Sequence, residues 1–494
     1  MYTSEDTGKT VVDLFSHSPS TIHLVGPAGP VSVSGKEVAE AGSAFGWWLR
    51  DQGVARGERV AVWADNGLAY LQALAGCADA GLTLVNVNTR YSRAEATDLI
   101  GRSGASVVLT DRVDSIGATG DDQPLVVDAD KTLPQVAPDG RSDASEVAPF
   151  VVFTTSGTTS KPKMVLHQQR SITEHAHDVA GGMGLRRDDV VLLAMPLCGV
   201  FGLTTLTGAL AAGCDVVVPA RFDVDVYADL ITRHRITVTH GSDDMYHRLL
   251  EVGADLSSLR MAGYGAFNNS LVDVAARAEE AGATLLGLYG MSEVQALFAA
   301  RNPGDPLAIR AKAGGRLISV AAECRTKNDE LQLRGPSLFT GYLAEGGAKI
   351  DLPMTEQSFD GAWFRTGDLA EIEGTEGFHY LARMGDSLRL GGFLVAPAEI
   401  ESTLNAVEGI DQSQVVAVDR PSGARPVAFV VTVPGCDLST LEERAIEHCS
   451  SQLARYKVPV RVVPIDEFPT TPSANGTKIQ KTRLREMGET ILNR

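Results

Sequence analysis

Short apolar runs rich in β-branched residues alternate with stretches of helical periodicity along most of the chain. Arg59–Ala64 (RVAVWA) is a continuous apolar run of strand length, the pattern of a strand covered on both faces. Ala69–Leu82 (AYLQALAGCADAGL) follows with helical character and ends on Gly81, a C-terminal cap. Ser106–Thr110 (SVVLT) is a strand again, and the same reading covers DVVLLAM from Asp189, DVVVP from Asp215 and ATLLGLYG from Ala283. Strands alternating with helices predict βαβ units, hence an α/β fold whose large N-terminal domain is built of layered, mostly parallel sheets. Val200–Val218 is apolar but interrupted by Thr, Gly and Asp215, which predicts an amphipathic helix followed by a strand and not a membrane span. Asp111–Val147 is polar and rich in Asp, Gly and Pro, the composition of a surface connection.

The pattern changes near Gly385. SLRLGGFLV, PAEIESTLNAV, SQVVAV, PVAFVVTV and LSTLEERAIEHCSSQLA predict in turn a strand-like segment, a helix, two strands and a helix, a small α+β unit able to form its own core. The predicted boundary divides residues 1–384 from 385–494, with the hinge in Ala382–Ser387 (ARMGDS) near Gly385.

Composition narrows the function classes. The 494 residues are 44% hydrophobic and 21% charged, enough for more than one core. Lys+Arg total 44 against Asp+Glu 62, a formal net charge of −18, which argues against nucleic acid as a partner. The six cysteines are scattered without CxxC spacing, so neither a zinc site nor a redox dithiol is expected, and a reducing cytoplasm is. The first residues lack a basic stretch followed by an apolar one, so no signal peptide is read.

The densest chemistry lies in Thr154–Lys163, TTSGTTSKPK, directly after the apolar run APFVVF. Hydroxyls and free backbone N–H groups ligate phosphate, glycine lets the backbone approach, and lysine adds charge. The G-x-x-x-x-G-K-[ST] pattern of a Walker A loop is absent. A polar surface turn is the bland alternative, disfavoured by the length of TSGTT followed at this spacing by KPK.

This loop resembles the phosphate-binding signature of the adenylate-forming enzymes: acyl-CoA synthetases, luciferases and the adenylation domains of peptide synthetases. Further motifs follow in the family's order over nearly the whole chain: MPLCGVFGL at Met195, LYGMSE at Leu288, ELQLRGPSLFTGY at Glu330, FRTGDLA at Phe364, LARMGD at Leu381 and PSANGTKIQK at Pro472. The resemblance implies activation of an acid with ATP to an acyl-adenylate, release of pyrophosphate, and transfer of the acyl group to a thiol. It assigns phosphate binding to Thr155, Ser156, Gly157, Thr158, Thr159 and Lys163. It gives Tyr289 and Gly290 to adenine, with the Tyr289 ring face against the base. Ser292 falls to the α-phosphate, Glu293 to Mg²⁺ as a hard oxygen ligand, Asp368 to the ribose hydroxyls, and Arg383 to ribose or phosphate. Lys478 is the implied catalytic lysine, bridging the attacking carboxylate and the α-phosphate. ELQLRGPSLFTGY is implied to be only a structural strand and turn.

The acyl pocket implied by the resemblance takes in Gly199, Val200, Phe201, His240, Gly263, Gly265, Ala266 and Gly287. His240 lies in VTHGSDDMYHRLL, which should start a helix beside the pocket; a His bonded to backbone is an equal alternative. The resemblance further implies that the C-terminal domain is mobile and rotates between half-reactions, bringing Arg389–Phe393, with Gly391 and Gly392, toward a pantetheine thiol. Four departures stand out. Gly199 occupies a position usually held by His, which widens the site for a bulky or ring-containing acid. Gly385 replaces the usual Asp or Lys of the hinge. Ser160 and Met164 replace loop glycines.

The leading expectation is therefore an acid–CoA ligase using ATP, Mg²⁺ and CoA on a small-molecule acid, with a homodimer left open as the assembly. A second reading keeps adenylation but changes the acceptor to a carrier-protein thiol or an amine, including nitrite activation for diazotisation of an aryl amine. A third, a non-catalytic nucleotide sensor, is disfavoured because Glu293, Asp368 and Lys478 are all present.

Overall fold

The computed structural model describes residues 9–492 apart from 28, 117–123, 156–161, 267–270, 272, 375, 386–387, 391–392, 396, 421–423 and 474–475. Among the described residues the chain forms a mixed α/β structure with a large N-terminal domain and a smaller C-terminal one.

Two sheets dominate the large domain. The seven-stranded sheet is parallel from Pro149–Thr154 through Thr83–Asn86, Arg59–Trp63 and Ala105–Thr110 to Leu125–Asp128. At its other edge Met164–Gln168 returns antiparallel to Pro149–Thr154, and Gly341–Tyr342 joins it from far along the chain. The second sheet has a parallel half: Thr21–Gly26, Asp215–Pro219, Val190–Leu192, Val238–Ser242, Met261–Gly265 and Leu285–Met291. Gln295–Ala300 then reverses, and the sheet continues antiparallel through Gly314–Leu317, Gly377–Arg383, Trp363–Glu373 and Glu330–Arg334. The predicted strands are all present, because strands buried on both faces announce themselves as unbroken apolar runs.

The main core lies between the two sheets and joins Val60, Val62, Leu84 and Leu109 of one to Val191, Val216, Val238 and Leu288 of the other. Helices Gly35–Asp51 and Leu68–Asp79 cross within it at close range: a Cβ built on Gly46 would lie 2.3 Å from the Gly76 carbonyl oxygen. Helix Val200–Ala212 departs from expectation. It is not amphipathic, because every residue from Phe201 to Leu210 is buried in this inter-sheet core. Thr205 and Thr207 bond back along the helix, Thr205 Oγ1 to the Phe201 carbonyl at 2.9 Å and Thr207 Oγ1 to Leu203 at 3.0 Å, whereas the buried Thr204 hydroxyl has no hydrogen-bond partner among the described residues. Asp111–Val147 also holds more structure than expected: Leu125–Asp128 adds a parallel edge strand beside Ala105–Thr110.

The C-terminal residues form separate cores around Ile400, Val415, Val430 and Cys449, and around Val418, Val427, Phe429 and Leu484. Their sheet pairs Ile410–Val418 with Arg425–Thr432 and Arg461–Pro464, packed by helices Pro397–Asn405, Leu441–Gln452 and Lys481–Leu492. Among the described residues no helix is long and apolar enough to cross a membrane.

Candidate functional site

Ligands of open α/β sheets gather at the carboxyl ends of parallel strands. Here Val238–Ser242, Met261–Gly265 and Leu285–Met291 bring His240, Gly263, Gly265, Ala266, Gly287, Tyr289 and Gly290 to that edge. His240 shares its strand face with Val238, the face turned to the inter-sheet core. It is 2% exposed, and its Nδ1 accepts the Gly263 N–H at 3.2 Å, so Nε2 carries the proton. Burial pushes its pKa down to about 4, keeping the ring neutral. A Cβ on Gly263 would meet that nitrogen at 2.6 Å, so the close contact requires glycine. Gly199 and Val200, both half-buried, open helix Val200–Ala212. The segment before them is held by Asn66, whose Oδ1 accepts from Leu197 N–H at 2.9 Å. Phe201 is buried.

The sharpest geometry is at Asp368. Trp363–Glu373 and Gly377–Arg383 pair with Asp368 opposite Arg383, and Arg383 Nη1 donates to Asp368 Oδ1 at 2.8 Å. The Tyr289 hydroxyl donates to Oδ2 at 2.6 Å. The strand that presents the carboxylate is pinned by Glu330, whose Oε1 accepts Gly367 N–H at 3.1 Å and Oε2 accepts Arg365 Nε at 3.0 Å. Asp368 is nearly buried, whereas the Arg383 side chain is half open to solvent. The Tyr289 ring packs edge-on to Phe378 with centroids 4.9 Å apart and leans on Tyr380. It therefore sits largely inside the core of this sheet half.

A second group forms around Glu293. LYGMSE closes a strand: it runs to Met291, turns through Ser292–Val294, and re-enters the sheet at Gln295. Gln295 (φ +67°) and Leu297 (φ +56°) hold left-handed backbone without being glycine, strain of the kind that concentrates at functional sites. Two buried histidines brace this turn. His167 Nε2 donates to the Ser292 carbonyl at 2.7 Å and His175 Nε2 to the Ala296 carbonyl at 2.6 Å. Glu293 is buried, and burial raises its carboxyl pKa against the opposing hydrogen bond from the Tyr342 hydroxyl, 2.9 Å from Oε1. Lys163 Nζ lies 4.5 Å from the centroid of the Tyr342 ring.

The hydroxyl-rich loop is described at its two ends. Thr155 N–H donates to the Lys163 carbonyl at 3.1 Å, and Lys163 N–H to Thr155 Oγ1 at 3.3 Å, closing its base. Ser156, Gly157, Thr158, Thr159 and Ser160 lie outside the described residues, as do Gly391 and Gly392. Lys478 sits on strand Gly476–Ile479, paired with Thr471 of Thr470–Ser473; its side chain lies outside the described set. The structure thus joins Tyr289, Asp368 and Arg383 in one group, and Glu293 and Lys163 in another through Tyr342. Tyr342, Glu330 and His167 belong to the site without having been singled out for it.

Residues 15–343 match the family model described as AMP-binding enzyme, and residues 399–475 that described as AMP-binding enzyme C-terminal domain. The chain belongs to the AMP-binding enzyme family. It is an ATP-dependent adenylate-forming ligase. The chain is 31% identical over 468 residues, 88% of its length and 90% of the relative's, to the 3-[(3aS,4S,7aS)-7a-methyl-1,5-dioxo-octahydro-1H-inden-4-yl]propanoyl:CoA ligase of Mycobacterium tuberculosis. It is 28% identical over 461 residues, 89% and 90% of the two lengths, to the 2-succinylbenzoate–CoA ligase of Bacillus pumilus. Among solved structures it resembles the O-succinylbenzoate coenzyme A synthetase of Bacillus subtilis in complex with ATP and magnesium ion, at TM-score 0.80 and 23% identity, covering 96% of this chain and 98% of that one.

Proposed function

We propose that this AMP-binding enzyme adenylates a bulky, ring-containing carboxylic acid and passes the acyl group to coenzyme A. The observation that carries the nucleotide half is the Asp368 carboxylate, nearly buried yet oriented by Tyr289 and Arg383. A carboxylate held in one orientation on a strand can accept two vicinal hydroxyls, the ribose pattern. Thr155 and Lys163, with Ser156, Gly157, Thr158 and Thr159 between them, hold the β- and γ-phosphates; Ser292 and Arg383 serve the α-phosphate and ribose side. Attack of the acid carboxylate on the α-phosphorus with pyrophosphate departing in line asks the protein for positioning and positive charge, not for a nucleophilic side chain. Lys478 supplies that charge between the attacking oxygen and the phosphate.

The donors fit Mg²⁺. Glu293 is a buried carboxylate destabilised by burial, a state that a cation relieves. Among the described residues no group of three or more His, Cys, Asp or Glu could hold a metal. An ion on Glu293 therefore takes its remaining ligands from phosphate and water, as Mg²⁺ does. Bound there, Mg²⁺ would neutralise phosphate charge as pyrophosphate leaves.

A ring-containing acid is favoured by Gly199, which brings no side chain to the start of helix Val200–Ala212, and by the bicyclic and succinylbenzoate acids named in the relatives. Coenzyme A as acceptor is favoured by the same names over a carrier protein, an amine or nitrite. Residues 1–384 and 385–494 act as the two domains hinged near Gly385, a division supported by the separate hydrophobic cores. The test is incubation with ATP, Mg²⁺, CoA and a panel of aromatic and bicyclic acids, with AMP and thioester both measured. Equal yields of AMP and thioester are expected for at least one acid, and Lys478→Ala should abolish both. AMP that appears only with nitrite and an aryl amine, or pyrophosphate without thioester for every acid, overturns the coenzyme A assignment.

A further inference from the structure

Tyr342 stands in a motif whose resemblance implies only a strand and turn, yet it bridges two parts of the nucleotide site. Gly341–Tyr342 pairs antiparallel with Met164–Gln168, the strand leaving the phosphate loop, with Tyr342 opposite Val165. That register places the ring beside Lys163 and the hydroxyl at Glu293. The ring is 2% exposed and locked by Phe339, whose centroid is 4.9 Å away. The backbone is fixed as well: Tyr342 N–H donates to Thr355 Oγ1 at 3.0 Å, and Phe339 N–H to the Glu293 carbonyl at 2.8 Å. The hydroxyl is therefore delivered to Glu293 Oε1 by a rigid frame, which leaves Oε2 without a side-chain donor among the described residues.

We propose that Tyr342 is a positioning residue: its hydroxyl fixes the Glu293 carboxylate so that the second oxygen faces the metal, and its ring seats the Lys163 ammonium beside the phosphates. This rests on the reading of Glu293 as the Mg²⁺ ligand. Two physical effects carry it. A ligating carboxylate that accepts a hydrogen bond on one oxygen is restricted to one orientation, and loss of such an outer partner typically costs about 10–100-fold in metal affinity. The ammonium over an aromatic face is held by the ring quadrupole, an attraction that strengthens as water is excluded. One side chain thus aligns the two positive charges, metal and lysine, that the triphosphate needs.

The test uses the full chain and separates these effects by calorimetric ATP binding with and without Mg²⁺, and by the electron paramagnetic resonance spectrum of Mn²⁺ in the ATP complex. Tyr342→Phe removes only the hydroxyl. Metal-free ATP should bind within about twofold of the parent, the Mg²⁺ concentration for half-maximal effect should rise about tenfold or more, and the Mn²⁺ spectrum should broaden. Tyr342→Leu removes the ring as well and should weaken metal-free ATP several-fold further. Glu293→Gln is the reference for losing the ligand itself. If Glu293→Gln raises the Mg²⁺ requirement and Tyr342→Phe does not, the positioning role is overturned while the Glu293 assignment stands. Equal losses with and without Mg²⁺ in Tyr342→Phe overturn it too, since a structural defect does not distinguish the metal. If Glu293→Gln leaves the Mg²⁺ dependence unchanged, the Glu293 assignment falls and takes the proposal with it.

Discussion

Acid should loosen this protein through two histidines that no motif contains. His167 and His175 are fully buried, and each donates Nε2–H to a carbonyl of the Ser292–Ala296 segment. Burial opposes a second proton on either ring: His175 Nδ1 is buried with no partner, His167 Nδ1 meets only the Ser171 hydroxyl at 3.2 Å, and burial pushes both rings down to about 4, against the carbonyl hydrogen bonds that favour the charged form. In the unfolded chain a histidine titrates near 6.5. The folded pKa is thus the lower one, so the unfolded state binds more protons as pH falls between those values. Stability is complete above about pH 7, declines as pH drops through 6.5, and levels off near 4. Between about pH 7 and pH 5 each histidine removes roughly 2 kcal/mol, or about 4 kcal/mol for the pair, a large share of the usual 5–15 kcal/mol total. Urea titrations across this range, followed by the fluorescence of the four tryptophans, measure it. The variants His167→Gln and His175→Gln keep an amide donor for each carbonyl but cannot titrate. Each should flatten the dependence of unfolding free energy on pH by about one proton, close to 1.4 kcal/mol per pH unit inside the window. A parental slope in both variants refutes the reasoning.

Three further outcomes follow from the geometry. Asp368→Asn leaves Arg383 without its charge partner and changes what Tyr289 meets, so ATP affinity measured by calorimetry should fall by about 1.5–3 kcal/mol, with Tyr289→Phe less affected. Gly46→Ala drives a methyl to 2.3 Å from the Gly76 carbonyl oxygen at a backbone crossing and should lower stability by about 1–3 kcal/mol in thermal melts. Gly101→Ala, in a helix with nothing within 4 Å of the new methyl, should be neutral or stabilise by up to about 1 kcal/mol. At the proposed hinge a Cβ on Gly385 also meets nothing within 4 Å. Gly385→Asp should therefore change stability by less than about 0.5 kcal/mol, and any kinetic effect should fall on thioester formation, leaving acid-dependent pyrophosphate exchange unchanged.

What the sequence displayed, and what it hid, divides along the distance over which each interaction acts. The parallel strands were legible because burial on both faces leaves a local signature, as in DVVVP, observed as strand Asp215–Pro219. Helix Val200–Ala212 misled because its threonines look polar on paper, while Thr205 and Thr207 satisfy their hydroxyls on their own helix's carbonyls and so enter the core at little cost. The motif residues Glu293, Asp368 and Arg383 could be picked out one by one, but not their geometry. Tyr342 reaches Glu293 across 49 positions, and only the pairing of Gly341–Tyr342 with the strand leaving the phosphate loop brings it there. His167 likewise meets Ser292 across 125 positions, so no periodicity links them. A carboxylate in a motif states which chemistry is available; the buried tyrosine and histidines, drawn from distant strands and a helix, hold its oxygen and the backbone around it in place. The site's identity is therefore local in sequence, whereas its precision is a property of the sheet edge where the two halves of the large domain meet.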